Sequence, residues 1–415
     1  MEVKKRILVL GINCLPELTG IGKYTGEMIS WFAENDHETT MVTGFPYYPN
    51  WKIQEPYTAN RYTKESLYNG NLTIYRCPLY VPSNPSGFKR LIHESLFFLS
   101  AGYIVFKMLF KKKQDLIFAI APPFHLAILA LVYRFFKGGR IVYHIQDLQI
   151  EAAKELKMLR YKWMFDILFS IEYFILRKMD FISTISDGMM KKVGDKIPKK
   201  ITFFPNWVDT ETFFPIDNRN ALKLKWGYAV DDQIVLYSGS IGEKQGLDSL
   251  IRIAMNLEVN KNIKFLICGT GPFKQELIRM AEEKKLKNLQ FLPLQGFDVF
   301  NEFLNMADIH LVLQKANASD LVMPSKLTSI LAVGGLALVT ANPGTTLHDV
   351  ILNHNMGVVI PAEDEVLLGQ AIVNIVENDF DKCRLNARVY AEKYLDKRNI
   401  LPNMLSFVSN LRNKN

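Results

Sequence analysis

The sequence predicts an α/β protein built from two doubly wound, parallel-sheet domains of the Rossmann type. Short apolar segments alternate with helical segments along both halves of the chain, which is typical of parallel strands that helices cover on both faces. The length of 415 residues exceeds one ordinary hydrophobic core and fits two domains of about 200 residues each. A hydrophobic content of 48% and a charged content of 22% indicate a packed globular chain.

Each half contributes six predicted strands. In the first half, helical segments such as 24–35 separate several of them. The strands of the first half are predicted at 6–11, 39–44, 72–77, 116–121, 140–145 and 180–186. Those of the second half are predicted at 233–240, 263–271, 288–294, 308–314, 336–341 and 356–361. Since ligands of open parallel sheets bind beyond the carboxyl ends of the strands, the loops that follow these strands are the first places to look for a site.

The two domains are predicted to meet within Thr202–Asp217, a segment with two prolines, turn-forming Asn and Asp, and several aromatic residues. We therefore expect an N-terminal domain at 1–207 and a C-terminal domain at 208–390. The last segment, 391–415, is expected to form a C-terminal helix that packs back toward the N-terminal domain.

Charge and cysteine content exclude several classes of protein. A net charge of +8 favours an anionic partner without choosing one, and no nucleic-acid recognition module is visible. The four cysteines form no CxxC pair, which argues against a zinc site or a disulfide framework and suits a reducing cytoplasm. The Asp-Phe-Asp sequence at 379–381 fits a metal-binding pattern, but it lies in a charged stretch away from any strand end, so we interpret it as a solvated turn.

The start of the chain is interpreted as a first strand rather than a signal peptide, and no membrane-spanning helix is predicted. The most apolar segment is Ser95–Lys113, which is interrupted by Lys107 and ends in three lysines. It is either a helix lying in a membrane interface, with apolar residues in lipid and lysines at anionic headgroups, or a buried helix that covers the first sheet.

A glycine-rich loop, Leu18–Met28, follows the first strand and opens a helix. Gly20 and Gly22 would let the backbone approach a ligand, with Lys23 beside them, and the helix N-terminus offers unpaired N–H groups to an anion. The spacing is not that of a dinucleotide fingerprint, and the second strand is followed by no acidic residue for a ribose. The alternative is a glycine turn that serves only helix packing.

The second half repeats this theme. Gly239, Ser240, Gly242 and Lys244 lie in a loop after a strand, where a lysine on a glycine turn suits a diphosphate. Gly269 and Gly271 follow the next strand. They either let a flat base approach the backbone or form a simple strand-to-helix turn.

The segment Ala318–Gly335 places Lys326 at the start of a small apolar helix. A cation gains nothing at the positive end of a helix, so we expect a bound anion nearby. Ser325 is expected to cap the helix. The N–H groups around Leu327, together with Lys326, would then form a cradle for a diphosphate.

These motifs, in this order, resemble glycosyltransferase family 4, which has the GT-B fold. The resemblance covers essentially the whole chain, and it is carried by segments 19–28, 205–209, 239–247, 269–272 and 323–335. Further likeness to members that act in the biosynthesis of colanic acid and related surface polysaccharides lies in Gly44–Trp51, Val142–Ala153 and 291–295, where Leu294 would contact the nucleotide.

The resemblance implies a retaining transfer of a hexosyl or deoxyhexosyl group from a UDP- or GDP-linked sugar, without metal or cofactor. The C-terminal domain would hold the donor and the N-terminal domain the acceptor, a polyprenyl-linked or other glycan at the inner face of the cytoplasmic membrane. Departure of the nucleoside diphosphate builds negative charge, and each fixed dipole or cation aimed at it is worth about 3–4 kcal/mol by analogy with an oxyanion-hole donor. Without a metal, lysines and helix ends would supply these charges.

The chain departs from the family in its acidic and basic site residues. The second Glu of the family's Glu-x7-Glu pair corresponds to Ser329, which we expect to contact the ribose, and the first to Leu321 beside Asp320. The family's arginine is replaced by Ser240, which leaves Lys244 and Lys326 to neutralise the diphosphate.

In the N-terminal domain the family's histidine corresponds to Gln146. We expect Asp147 and His144 to line the site, with Glu151 as a further acidic candidate, although His144 would equally fit a packed strand histidine and Asp147 a helix cap. Asn206 resembles a family position near the site.

Two other functions compete with transfer. One is a non-catalytic nucleotide-sugar-binding partner of another transferase, which the missing acids and arginine keep open. The other is an NAD(P)-linked, sugar-modifying oxidoreductase, against which the absent dinucleotide fingerprint argues.

Overall fold

The computed structural model describes residues 4–57, 61–155, 162–315 and 324–410, except the side chains of Glu155 and Lys244. The chain divides into two compact units. The N-terminal unit runs to Pro205 and also includes the chain from Asn403 onward, and the C-terminal unit is Asn206–Pro402. The division thus falls beside the boundary expected at 207, and the return to the first unit begins at Asn403 rather than at 391.

The N-terminal unit is built on one eight-stranded sheet with the order β3-β4-β2-β1-β5-β6-β7-β8. All neighbouring pairs are parallel except β3 and β4. The strands are β1 (Arg6–Leu10), β2 (Glu38–Thr43), β3 (Thr63–Leu67), β4 (Leu72–Arg76), β5 (Leu116–Ala121), β6 (Arg140–Ile145), β7 (Phe181–Thr184) and β8 (Ile201–Phe203).

Helices cover this sheet. They are α1 (Gly20–Glu34), α2 (Gly87–Met108), α3 (Ala127–Lys137), α4 (Gln149–Glu155), α5 (Lys162–Lys178) and α6 (Asp187–Gly194), with short 3-10 helices at Tyr68–Gly70 and Phe124–Leu126. Parallel strands joined by right-handed crossovers place a helix on one face or the other according to the direction of the step. The step from β1 to β2 runs opposite to those from β4 to β5, β5 to β6 and β6 to β7, so α1 lies on one face and α2, α3 and α5 lie on the other.

The C-terminal unit has a six-stranded, fully parallel sheet with the order β11-β10-β9-β12-β13-β14. The strands are β9 (Gln233–Ser238), β10 (Ile263–Cys268), β11 (Leu289–Leu292), β12 (Ile309–Val312), β13 (Ala337–Thr340) and β14 (Gly357–Ile360). The helices are α7 (Arg219–Lys225), α8 (Asp248–Asn256), α9 (Lys274–Glu283), α10 (Phe297–Met306), α11 (Lys326–Ala332), α12 (Thr346–Asn353), α13 (Glu365–Glu377) and α14 (Asp381–Tyr390), with a 3-10 helix at Glu243–Gln245 and a π-helix at Ala391–Leu395. A last helix, α15 (Lys397–Asn410), contains Pro402.

The predicted fold class is confirmed, and all twelve predicted strands are present. Two further strands were missed. β3 has the sequence TKESL and forms an antiparallel edge, so it carries no apolar alternation that could reveal it. β8 is three residues long and overlaps the start of Thr202–Asp217, so this segment begins as a strand rather than as a linker.

The C-terminal part of α15 packs on the N-terminal unit. The ring of Phe407 lies 5.8 Å from that of Phe181 at the start of β7. Arg140, at the start of β6, donates from Nη1 to the carbonyl oxygen of Val408 at 3.1 Å. The amino ends of β6 and β7 are thus covered by a segment from the far end of the sequence.

Helix α2 has the length and composition that crossing a membrane requires, and only 33% of its most apolar window is buried. This differs from the expectation of no spanning segment, which followed from the lack of 18 consecutive uncharged apolar residues, whereas α2 is sufficiently apolar on average despite its charged residues. One face of α2 nevertheless belongs to the N-terminal unit, where it packs on α3 and β2.

The strand orders locate a crevice in each sheet. In the N-terminal unit β1 pairs with both β2 and β5, and in the C-terminal unit β9 pairs with both β10 and β12. The connections that follow β1 and β5, and those that follow β9 and β12, run in opposite directions along the sheet, so the loops at the carboxyl ends of each pair separate.

Candidate active site

The loops that follow β9 and β10 in the C-terminal unit are locked together through their backbones. Gly239 donates its N–H to the carbonyl oxygen of Cys268 at 2.9 Å, and Ile241 donates to that of Thr270 at 2.8 Å. A Cβ atom on Gly269 would lie 1.9 Å from the carbonyl oxygen of Gly239, and one on Gly271 would lie 2.1 Å from that of Ile241. Glycine is required at both positions because the two loops touch, which agrees with the strand-to-helix-turn alternative.

Lys326 reaches the loop after β9. Its Nζ lies 3.5 Å from the centroid of the Tyr237 ring. A Cβ atom on Gly239 would lie only 3.1 Å from the same Nζ atom. The Nζ atom is buried and has no hydrogen-bond partner within the described part of the chain. Burial lowers the pKa of Lys326 to about 7, because the ring face replaces only part of the lost hydration.

Tyr237 connects this lysine to the loop, and sequence reasoning missed it. Its hydroxyl donates to the carbonyl oxygen of Ser240 at 2.6 Å, so one side chain holds both the loop and the ammonium group. In the sequence Tyr237 looks like any other apolar residue of a buried strand. The one feature that could have marked it as a site residue is its position just before the glycine loop.

Helix α11 corrects two expectations. Ser325 occupies the N-cap position, but its side chain makes no capping hydrogen bond, since its backbone is already helical. The side chain of Leu327 lies in the hydrophobic core, and its backbone N–H donates to the carbonyl oxygen of Pro324 at 3.0 Å, so this N–H is not free for the expected diphosphate. The hydroxyl of Ser329 donates to the carbonyl oxygen of Lys326 at 3.1 Å within the same helix.

Of the other residues predicted for the nucleotide site, the described ones follow β9 and β11. Gly242 is the N-cap of the 3-10 helix that contains Lys244. The side chain of Lys244 and the residues Asp320 and Leu321 lie outside the described part of the chain. Leu294 is exposed in the loop after β11. Sequence reasoning missed Lys274, which donates to the carbonyl oxygens of Gly269 at 2.9 Å and Leu292 at 3.2 Å and so holds the ends of β10 and β11 together.

In the N-terminal unit, the glycine loop surrounds a buried carboxylate. Glu17 is 3% exposed, and its Oε1 accepts from the backbone N–H groups of Tyr47 at 2.9 Å and Tyr48 at 2.8 Å. Its Oε2 accepts from Asn13 Nδ2 at 3.0 Å and lies 2.3 Å from where a Cβ on Gly22 would stand. The first turn of α1 therefore already lies beside a carboxyl group of the protein. A negative charge on that group interacts favourably with the positive end of the α1 helix dipole.

Two further residues of this loop have local roles. Gly20 adopts a left-handed conformation, with φ of +59°, at the start of α1. The Nζ atom of Lys23 lies 4.0 Å from Oε1 of Glu27 on the same helix, so the two side chains form an ion pair. Burial raises the pKa of Glu17 to about 7, although four hydrogen-bonding and charged partners oppose this change. The lack of a side chain at Gly22 leaves room for Glu17, which agrees with the packing alternative, and the expected role of the loop in binding a ligand anion stays a prediction.

The carboxyl end of β6 corrects the expectations for His144 and Glu151. His144 is 1% exposed, its Nδ1 lies 3.0 Å from Ser183 Oγ, and burial lowers its pKa to about 3. It is a packed, neutral strand histidine. Glu151 forms an ion pair with Lys196, which also contacts Glu172 at 2.6 Å. Asp147 lies half-buried between β6 and α4, beside the buried Gln146.

A second carboxylate at this edge, Glu94 on α2, was missed. Both of its oxygens lie 2.7 Å from Gln149 Nε2, and the amide oxygen of Gln149 accepts from the N–H of Phe124 at 3.3 Å. Burial raises the pKa of Glu94 to about 7. Only tertiary structure brings α2 to the loops after β5 and β6, so no local signal in the sequence marked this pair.

The remaining candidates lie elsewhere. Asn206 is buried at the first position of the C-terminal unit. Asp379 accepts from the N–H of Asp381 at 2.7 Å at the start of α14. Among the described residues, no group of three or more His, Cys, Asp or Glu side chains is arranged to hold a metal ion.

Comparison with known proteins agrees with this architecture. Residues 19–207 match the model of the glycosyl transferase 4-like domain, and residues 218–394 match that of glycosyl transferases group 1. The chain is 39% identical to the putative colanic acid biosynthesis glycosyl transferase WcaI of Escherichia coli K12, over 98% of this chain and 100% of that protein. The chain belongs to glycosyltransferase family 4. It is therefore a glycosyltransferase, and the family resemblance inferred from the motifs is confirmed.

Solved structures show the same GT-B fold. Sucrose-phosphate synthase from Thermosynechococcus elongatus matches with a TM-score of 0.77 at 13% identity, over 98% of this chain and 99% of that chain. Anabaena HepE in complex with UDP-glucose matches with a TM-score of 0.69 at 11% identity, over 98% and 100% of the two chains. At such low identity these likenesses concern the fold alone.

Proposed function

We propose that this glycosyltransferase moves a sugar, with retention of configuration and without a metal ion, from a nucleotide diphosphate to a lipid-linked glycan. The acceptor would be an intermediate of a cell-surface polysaccharide. The observation that carries the donor part of this proposal is the buried ammonium group of Lys326, held over Tyr237 beside the loop after β9.

The electrostatics of Lys326 support a diphosphate as the ligand. A lysine amine that is buried without an anion costs free energy, and its pKa falls to about 7. A diphosphate beside it would supply the missing negative charge. As the sugar bond breaks, charge grows on the leaving phosphate, and a cation placed there stabilises the transition state more than the ground state.

The acceptor part of the proposal rests on the N-terminal unit. Glu94 and Asp147 lie at the carboxyl edge of its sheet, where carboxylate oxygens can accept hydrogen bonds from sugar hydroxyl groups. The role named for the Escherichia coli relative, glycosyl transfer in colanic acid biosynthesis, supports a polysaccharide as the product. A lipid-linked acceptor would place the enzyme at the cytoplasmic face of the membrane, which the apolar surface of α2 favours.

The donor proposal is tested by nucleotide binding and turnover of three proteins. The wild type is expected to bind UDP or GDP and to release it from a UDP- or GDP-sugar in buffer that contains EDTA. Lys326→Ala is expected to lose at least tenfold in turnover. Lys284→Ala removes an exposed lysine of the same unit, at the end of α9, and should behave as wild type.

Three outcomes would contradict the proposal. Turnover that requires magnesium or manganese would overturn metal independence. Equal loss in both variants would remove Lys326 from the donor site. Tight nucleotide binding without turnover of any nucleotide sugar would favour the non-catalytic binding partner instead.

A further inference from the structure

We propose that the outer surface of α2, α3 and α5 in the N-terminal unit, here called the three-helix face, docks on an anionic lipid bilayer. The inference deepens the proposed function, since it rests on a membrane-bound acceptor for its purpose and names the surface that meets the membrane. The three helices lie on the same side of the sheet, α3 packs on both α2 and α5, and all three expose large apolar side chains.

Helix α2 has two different apolar faces. Its inner face is buried in the N-terminal unit and includes Phe97, Ala101, Ile104, Val105 and Met108. Its outer face is exposed, and an apolar stripe continues along it at helical spacing into the following turn. The exposed members are Phe88, Leu91, Leu96, Leu99, Tyr103, Phe106 and Phe110. Because the inner face is part of a folded core, α2 would lie along a membrane surface and not cross the bilayer.

The same exposure continues on the two neighbouring helices. On α3, Phe135 is 83% exposed and Phe136 is 64% exposed, beside Val132. On α5 the exposed apolar side chains are Trp163, Ile167, Tyr173 and Phe174. A monomeric protein rarely exposes so many large apolar side chains on neighbouring elements unless a membrane or another molecule covers them.

The charge of these segments selects an anionic lipid as the occupant. Residues 87–113, 127–137 and 162–178 contain eleven basic and three acidic side chains, a net charge of +8, which equals the net charge of the whole chain. Two of the three acids are engaged inside the protein, Glu94 with Gln149 and Glu172 with Lys196. Basic residues among exposed aromatic and aliphatic ones match a headgroup layer, where the basic side chains are attracted to the anionic lipids and the apolar ones enter the acyl boundary.

Helix α2 also joins this face to the candidate acceptor site. Near its N-terminus, Arg90 lies 5.1 Å from the ring centroid of Trp51, in the loop after β2. One turn later, Glu94 contacts Gln149 after β6. A glycan that is attached to a lipid would therefore arrive at the edge of the sheet from the surface that α2 occupies.

Flotation with lipid vesicles tests the proposal on the full-length protein. The probes are vesicles of phosphatidylglycerol and phosphatidylcholine mixed, and of phosphatidylcholine alone. Wild type is expected to float at least tenfold more with the anionic vesicles, and the double variant Phe135→Ser/Phe136→Ser should lose at least tenfold of that binding. The matched control, Val259→Ser/Leu385→Ser, changes two apolar residues of the C-terminal unit that are also 83% and 64% exposed, and should float as wild type.

Nucleotide binding distinguishes a failure of membrane docking from a failure of the proposed function. Measured without lipid, it should be the same in both double variants, because none of the four residues lies in the donor site. Equal flotation of both double variants, or no preference for anionic vesicles, would overturn the lipid assignment. So would a wild-type oligomer that dissociates only in Phe135→Ser/Phe136→Ser, since that result would identify a second protein copy as the occupant.

Discussion

The ammonium nitrogen of Lys326 lies 3.5 Å from the centre of the Tyr237 ring, buried and with no hydrogen-bond acceptor among the described residues. The Tyr237 hydroxyl donates a hydrogen bond to the Ser240 carbonyl oxygen in the adjacent loop. The C-terminal unit thus holds a poorly solvated amine, whose protonated form an anion at that loop would stabilise.

Binding of a nucleoside diphosphate is expected to take up a proton at pH 8. The pKa of Lys326 is lowered to about 7, so its amine is mostly neutral at pH 8. A diphosphate raises that pKa again, and the amine must gain its proton on binding. Titration calorimetry in two buffers of different ionisation enthalpy measures the uptake. Affinity should fall as the pH rises above 7, and Lys326→Met should show neither effect. The same uptake in wild type and variant would assign the proton to another group.

The stability of the N-terminal unit is expected to fall as pH rises from about 4.5 to 7. Burial raises the pKa of Glu17 from 4.5 to about 7, so within this window the folded state binds more protons than the unfolded state. A pKa difference of one between the two states corresponds to about 1.4 kcal/mol, which gives about 3 kcal/mol for the whole window. Glu17→Gln keeps an oxygen for the two backbone donors and has no proton to lose. Urea unfolding at pH 5 and pH 7 should therefore show a smaller difference in the variant, and an unchanged difference would contradict this role.

Gly22→Ala is expected to destabilise the protein by about 1–3 kcal/mol through overpacking. The new methyl group would meet Glu17 Oε2 at 2.3 Å and Glu17 Cβ at 2.7 Å, and Glu17 is held by three hydrogen bonds. Gly194→Ala is the control, since a Cβ at this end of α6 would meet nothing within 4 Å. There, replacing glycine in a helix should stabilise by up to about 1 kcal/mol. Thermal unfolding of both variants measures the difference, and a tolerated Gly22→Ala would show that the Glu17 side chain moves easily.

The sequence was sufficient for elements whose signal is local. Every strand with a continuous apolar run was predicted, because burial on both faces leaves that run in the sequence. The edge strand β3 was missed because its exposed polar residues carry no such pattern. The glycine loops were also located correctly, although the reason for the glycines was not visible. At Gly22, Gly269 and Gly271 that reason is a neighbour brought close by the fold.

Roles that depend on distant contacts could not be predicted. From its position in the strand, His144 could be either a ligand-facing residue or a packed one. Its contacts with Ser183 and with the ring of Phe204, whose centroid is 4.8 Å from that of His144, show that it is packed. Lys326 was predicted as a site residue from its unfavourable place at a helix start. Tyr237, which makes that place tolerable, looks in the sequence like any other core residue.

The course of the last helix bears on how the protein can be divided. Phe181 and Arg140 meet residues of α15 that follow the whole C-terminal unit in the sequence. A recombinant fragment that stops at Pro205 would thus leave the Phe181 ring without its partner, and it would be less soluble than one to which 403–415 is fused. A single protease cut near the boundary would yield two fragments that stay together until denaturant separates them.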